Sequence, residues 1–264
     1  MATPTRTGTE PEPSGASAHT GRRPGLRDEH LAPEVAARHL RFDADAWEEI
    51  YVVGDVHGCR RELEALLAAL DPAEQDLVLF VGDLIRKGPD SRGVVELVRD
   101  TPNAFSIRGN NEDKLVHGRV DVPEIDPVAD YVESLPVVIS FGDALLVHGG
   151  VDTGTPLAEQ DVECLLNTRS VPPENGYDGP FWFDEYDGPE RVFFGHTVLD
   201  APVVTEHVVG LDTGCVYGGS LTAYDYRAEE AVSVPAFETY QSRPDRKVLD
   251  LPGVQVEPTP IRAE

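Results

Sequence analysis

The sequence predicts an α/β protein built on two packed β-sheets, and three observations carry that prediction. Apolar runs of strand length alternate with helical patterns through the first half of the chain. From about residue 136 the strand-like runs follow one another, as expected when a second sheet is being completed. Five of the apolar runs end at a glycine beside an acid, an amide or an imidazole. Polar groups beyond the carboxyl ends of strands are where α/β folds place their sites. The 264 residues fit one domain with a substantial core.

Taken in order, residues 1–28 are rich in Thr, Pro, Gly, Ser and Ala and are expected to be disordered. "EHLAPEVAARHLRF" (29–42) spaces Leu31, Val35, Ala36 and Leu40 as a helix, which predicts a docking helix within residues 29–47. "EIYVVGD" (49–55) is a buried strand. "CRRELEALLAAL" (59–70) sets Leu63, Leu66, Leu67 and Leu70 on one helical face. "DLVLFVGD" (76–83) repeats the strand that closes on Gly-Asp. "DSRGVVELVRD" (90–100) is a helix with Asp90 as its N-cap. "AFSIRGN" (104–110) is the third strand. "PVVISFGDALLVHGG" (136–150) is two strands joined by the two-residue turn Gly142-Asp143. "RVFFGHT", "HVVGLDTG", "SLTAYDY" and "AVSVP" complete a main domain of residues 48–238. Residues 239–264 are polar and proline-bearing and are expected to form a tail.

The 22 basic residues face 48 acidic ones, for a net charge of −26. A surface this negative repels a nucleic-acid backbone, so no nucleic-acid partner is expected. Only Lys87, Lys114 and Lys247 are lysines. Scarce lysine with excess carboxylate is the balance of a halophilic protein, kept hydrated in concentrated salt. Cys59, Cys164 and Cys215 are widely spaced with no C-x-x-C pair, which argues against a disulfide framework or structural zinc and for a reducing compartment. Cys59 is expected to pack at a helix start, Cys164 in the core and Cys215 at a turn. No run reaches transmembrane length and no signal segment follows Met1, so no membrane partner and a cytoplasmic location are expected.

The strand ends supply Asp55, His57, Asp83, Asn110, His148 and His196. Asp55 and His57 are two apart, so an extended backbone points both to one side. This mixture of oxygen and nitrogen donors suits Mn, Fe, Zn or Co better than a thiolate or an all-oxygen calcium site. Six groups are too many for one ion and about right for two that share a carboxylate. Two ions roughly 3.5–4 Å apart activate water and clamp a phosphoryl group for in-line attack.

"GDVHGC", "GDLIRKGP", "RGNNE", "LLVHGG" and "FFGHT" resemble, in order, the motifs of the calcineurin-like metallophosphoesterases, in their phosphoprotein phosphatase branch. "LDTGCVYGGSLTAYDY" resembles the bacterial and phage members, including the phage lambda-type phosphatase and the symmetrical diadenosine tetraphosphate hydrolases. The likeness runs from Tyr51 to Tyr226. It implies a four-layer sandwich, two mixed β-sheets flanked by helices. It also implies that Asp55, His57 and Asp83 hold one metal, with Asp83 bridging to a second held by Asn110, His148 and His196. Arg108 and, less closely, Arg169 match arginines that clamp phosphate, and Lys87 lies where it would meet substrate. The metals implied are most commonly manganese, with Fe, Zn, Co and Ni as alternatives.

Two positions depart from the family pattern together. The family's Gly-Asn-His-Glu has a histidine that protonates the leaving alkoxide, where this chain has Asn111. The aspartate that orients that histidine is replaced by Arg86, and the arginine after it by Lys87. An amide is no general acid at neutral pH. Arg86 adds a fixed positive charge that suits a leaving oxyanion or a further phosphate. His117, seven residues beyond Asn110, is expected to be a surface histidine, and is the first alternative acid if another group supplies the proton. Trp182 and the aromatics of residues 181–188 are expected to pack in the ordinary way, with lining a cleft or stacking on a base as the alternative. The reading is a binuclear phosphatase for phosphomonoesters, including phosphoserine or phosphothreonine in proteins, acting through metal-activated hydroxide. The alternative is a nucleotide phosphoanhydride hydrolase of the diadenosine tetraphosphate type. A silent phosphate-binding protein is the third reading, and the intact ligand set argues against it.

Overall fold

The computed structural model describes residues 25–261. The expected disordered segment therefore lies outside the described residues up to residue 24, and Leu26 is already buried against Leu31 and Val35. The strands are β1 (His39–Phe42), β2 (Ile50–Val53), β3 (Leu77–Phe80), β4 (Ala104–Ser106), β5 (Val138–Phe141), β6 (Ala144–Leu146), β7 (Arg191–Phe194), β8 (Val203–Val204), β9 (Val208–Gly210), β10 (Ser220–Asp225), β11 (Glu230–Pro235) and β12 (Thr259–Pro260). The α-helices are α1 (Pro33–Ala36), α2 (Arg60–Leu70), α3 (Ser91–Asp100), α4 (Asn110–Val116), α5 (Ala129–Ser134), α6 (Val162–Asn167) and α7 (Trp182–Glu185).

The strands form two six-stranded sheets, in the orders β1-β5-β6-β7-β9-β8 and β12-β11-β10-β2-β3-β4. Both are mixed: β2, β3 and β4 run parallel, while β10 pairs antiparallel with β2 and β11. Strand alternation builds the layers. Ile50 and Val52 of β2 face Ile139, Leu146 and Phe193 of the other sheet, whereas Tyr51 and Val53 turn outward against Leu63 and Leu66 of α2. Val138, Leu145 and Val192 form the outer face of the second sheet with Leu31, Val35 and Trp182. Two sheets with three apolar layers between and outside them make the expected sandwich.

Two local predictions hold in detail. The Asp90 side chain accepts from Gly93 N at 2.8 Å, capping α3. Phe141 pairs with Ala144, which leaves Gly142 (φ +54°) and Asp143 as the two-residue hairpin turn. The predicted helix over 29–42 shrinks to the single turn of α1, and the chain then extends as β1, parallel to β5. Leu40 and Phe42, two apart, meet the inter-sheet core, and that packing overrides helix propensity. The expected C-terminal tail is also tied down. Leu249 bridges to Leu199, and β12 adds to the edge of β11.

Candidate active site

Every predicted ligand sits just past a strand at one end of the sandwich. Asp55 and His57 follow β2, Asp83 follows β3, Asn110 opens α4 after β4, His148 follows β6 and His196 follows β7. Glycines let these loops close. A Cβ on Gly195 would lie 2.0 Å from Asp55 Oδ1, and one on Gly109 would lie 2.3 Å from both Asp83 N and Asp83 Oδ1. His57, Asp83, Arg86, Lys87 and His196 all adopt left-handed backbone, with φ of +49°, +51°, +70°, +71° and +62°. Such residues cost on the order of 1–3 kcal/mol each and persist only where their surroundings hold them.

Much of that hold comes from Glu112, the acid of the RGNNE motif. Its carboxylate is fully buried and accepts from the backbone N–H of Asp83 (2.9 Å), Ile85 (3.1 Å) and Gly109 (2.8 Å). His57 N further donates to Asp83 O at 2.8 Å, which locks the first two loops together.

The ligand atoms converge. His57 Nε2 lies 3.8 Å from Asp55 Oδ2 and 3.5 Å from Asp83 Oδ2, and His148 Nε2 lies 3.4 Å from Asp83 Oδ1. Asn110 Nδ2 is 3.2 Å from His196 Nδ1, and Asn110 Oδ1 accepts from Asn111 Nδ2 at 3.0 Å. Backbone carbonyls orient two of the rings: His57 Nδ1 meets Ile85 O at 3.1 Å and His148 Nδ1 meets Val81 O at 2.8 Å. That arrangement presents Nε2 of each ring to the cluster.

The residues fit a pair of divalent ions on three counts. His148 Nε2 is buried with no hydrogen-bond partner. Burial, followed by the Lys87 charge, pushes His57 down to about 3, and burial with Arg169 takes His196 well below its ordinary range. Both rings are therefore neutral, the form that ligates metal. Burial and the charges of Asp212 and Asp83 raise Asp55 well above the usual carboxylate range, so the acids crowd one another and call for a cation. One cation already stands there: Lys87 Nζ lies 2.6 Å from His57 Nε2.

Arg86 and Asn111, the two departures from the family pattern, are direct partners. Arg86 Nη1 donates to Asn111 Oδ1 at 2.6 Å, while Asn111 Nδ2 donates to Asp83 Oδ2. Lys87 and Arg169 line the same cleft, and Arg169 Nη2 donates to His196 O at 3.3 Å. Arg108 is elsewhere. It is 1% exposed and donates to Glu133 O at 2.7 Å with Asp113 Oδ1 3.6 Å away, so it does not line the cleft that was expected to use it. His117 lies outside the cleft, half-exposed with Nδ1 on Asp113 O, as expected of a surface histidine. Trp182 is fully buried against Phe194 and donates to Gly149 O, as a core residue does.

Six cleft residues carried no site role in the sequence: Lys114, Tyr177, Val198, Asp212, Arg243 and Lys247. Asp212 follows β9 and is buried, and its strand-then-polar ending repeats the signal used for the other loops. Tyr177 and Arg243 carried no such signal. The Tyr177 ring is flanked by the Arg169 guanidinium at 4.2 Å and the Arg243 guanidinium at 5.4 Å, and Arg243 donates to its hydroxyl.

A family model described as calcineurin-like phosphoesterase matches residues 49–251. The chain belongs to this family. Calcineurin-like phosphoesterases use a dinuclear metal centre, and this member is a phosphoric ester hydrolase. The chain is 30% identical over 247 residues to the asymmetrical bis(5'-nucleosyl)-tetraphosphatase PrpE of Halalkalibacterium halodurans, covering 76% of this chain and 98% of the relative. It is 27% identical over 240 residues to the same enzyme of Oceanobacillus iheyensis, covering 73% and 94%. A crystal structure assigned as a diadenosine tetraphosphatase superposes with a TM-score of 0.67 at 29% identity, covering 76% of this chain and 99% of that one. A serine/threonine phosphatase of Saccharomyces cerevisiae shares the fold, with a TM-score of 0.51 at 18% identity. The tetraphosphatase relatives are named asymmetrical, where the motif resemblance had pointed to symmetrical enzymes.

Proposed function

We propose that this calcineurin-like phosphoesterase hydrolyses the phosphoanhydride chain of a nucleoside polyphosphate of the dinucleoside tetraphosphate class. The observation that carries this reading is the distribution of positive charge. The chain has three lysines and a net charge of −26, yet Lys87, Lys114 and Lys247 all line the one cleft that holds the metal ligands. Arg86, Arg169 and Arg243 join them there. The cations flank the ligands on two sides. Arg86 and Lys114 stand at α4, and Arg169 and Arg243 stand at Tyr177. A phosphomonoester concentrates its charge at one phosphorus, whereas a polyphosphate carries a negative charge on every phosphate and uses cations along its length.

The missing proton donor supports the same reading. A nucleotide phosphate leaves readily as an anion, while a serine alkoxide needs a proton. The names of the relatives agree, and phosphoserine or phosphothreonine proteins become the less favoured substrate.

When bound, the two ions supply Lewis acidity and an activated water. Asp55, His57 and Asp83 would hold one; Asp83, Asn110, His148 and His196 would hold the other, with manganese the proposed metal. The chain's own residues do the rest. Arg169 and Arg243 hold phosphates at the Tyr177 wall, Lys87 neutralises charge beside His57, and Arg86 faces the departing phosphate.

The test is a substrate panel with metal-loaded protein. Expected is a kcat/KM for diadenosine tetraphosphate about 10²-fold or more above that for a phosphoserine peptide, with no turnover in chelator. Equal or better turnover of the peptide would return the enzyme to the phosphoprotein reading.

A further inference from the structure

Outside the cleft, three more side chains meet in the interior. Cys59 caps the start of α2 and Glu62 lies three residues on, so the two share a helical face. Cys215 comes from the turn after β9. Their exposures are 0%, 0% and 1%, and the two sulfurs and a Glu62 carboxylate oxygen lie within 4.8 Å of one another. The wide spacing that argued against structural zinc in the sequence is closed by the fold.

The carboxylate is the telling member. Glu62 Oε1 accepts from Phe237 N at 2.9 Å and from the Tyr240 hydroxyl at 3.0 Å. Oε2 is buried and has no hydrogen-bond partner. A buried carboxylate with a free oxygen is costly unless a positive charge meets it. Among the described residues no ion pair reaches Glu62, while one of its carboxylate oxygens lies within 4.8 Å of both sulfurs.

We propose that Cys59, Glu62 and Cys215 bind one soft divalent cation of the zinc class, separate from the catalytic pair. Two thiolates select zinc over magnesium or manganese. Tetrahedral Zn–S bonds of about 2.3 Å place two sulfurs roughly 3.8 Å apart, a spacing that falls within the 4.8 Å that contains all three ligand atoms. Three protein ligands leave the fourth position to a water molecule. The two thiol protons pass to solvent as the sulfurs coordinate. The ion would join three segments at one point: the loop that carries His57, the turn that follows Asp212, and the C-terminal stretch that Glu62 holds through Phe237 and Tyr240.

Cobalt alone tests the site, because the catalytic ligands include no sulfur. The full-length chain is stripped of metal, kept reduced and titrated with Co²⁺. A near-ultraviolet thiolate-to-cobalt charge-transfer band is expected, its amplitude that of about one cobalt per chain, and complete by about three equivalents of total cobalt, two of which fill the catalytic site. Cys164→Ala should keep the band, Cys215→Ser should lose it, and Glu62→Gln should weaken cobalt binding by about ten-fold or more. Absence of the band in the folded wild-type chain overturns the site, and so does a band that survives Cys59→Ser with Cys215→Ser. The wild-type titration decides the matter even if a cysteine variant fails to fold.

Discussion

Asn111 and Arg86 hold each other, and Asn111 in turn holds Asp83, the carboxylate proposed to bridge the two metals. A histidine and an aspartate lost separately would leave a stranded partner. Asn111 and Arg86 together form a satisfied amide–guanidinium pair, and neither is a general acid at neutral pH. Restoring both groups, Asn111→His with Arg86→Asp, should raise the rate on phosphoserine peptides by about 10²-fold. The rate on nitrophenyl phosphate, whose leaving group needs no proton, should change little. Asn111→His alone sets an imidazole against the Arg86 guanidinium and should gain much less. Parallel kinetics on the two substrates check this. If the wild type already cleaves both equally, some other group protonates the alkoxide. At this scale the sequence was most legible where strand ends repeat one pattern, which picked out six residues that the fold brings to one end of the sandwich. A motif match says nothing of side-chain direction, and the Arg108 guanidinium turns to Glu133 and Asp113.

Elements were legible where pattern and packing agree and illegible where distant chain supplies the partner. The apolar stripe of α2 and the cap of α3 needed only local sequence. Residues 39–42 needed β5, which lies about a hundred positions away, before a helical spacing became a strand. The segment after Thr239 reads as polar because two of its charges point into the cleft. Arg243 stacks over Tyr217 at 4.6 Å and donates to Tyr177, and its Nε anchors on Lys247 O at 2.8 Å. Arg243→Ser should therefore raise KM for diadenosine tetraphosphate by about 10-fold or more, the scale of one charged hydrogen bond. KM for nitrophenyl phosphate should stay within about 2-fold, since that substrate has no second phosphate to reach the Tyr177 wall. Equal losses on both substrates would place Arg243 in folding rather than in recognition.

For the molecule as a whole, one cleft concentrates cations within a strongly acidic chain. Self-repulsion is strong in dilute buffer and weak in molar salt, where the screening length falls from about 10 Å to about 3 Å. The melting temperature should rise between dilute and molar potassium chloride. A flat or falling curve would refute the halophilic reading. Polyphosphate affinity should move the other way and weaken with salt, because its attraction comes from the same charges. Among the described residues no helix is long and apolar enough to cross a membrane.

The two sheets end in strands donated by the extremities of the described chain. β1 covers one flank of β5, and β12 covers one flank of β11. The family match, residues 49–251, includes neither. A recombinant fragment cut to those limits would bare the backbone N–H and C=O groups of Val138–Phe141, a β-branched and aromatic run with little exposure of its own. Unguarded edges of that kind template pairing with another copy. Such a fragment should elute as oligomers or aggregate on size exclusion, where a chain that keeps residues 25–261 stays in its native state of assembly. Trimming to the recognised domain would thus turn a flank that the protein seals with its own beginning into an adhesive one.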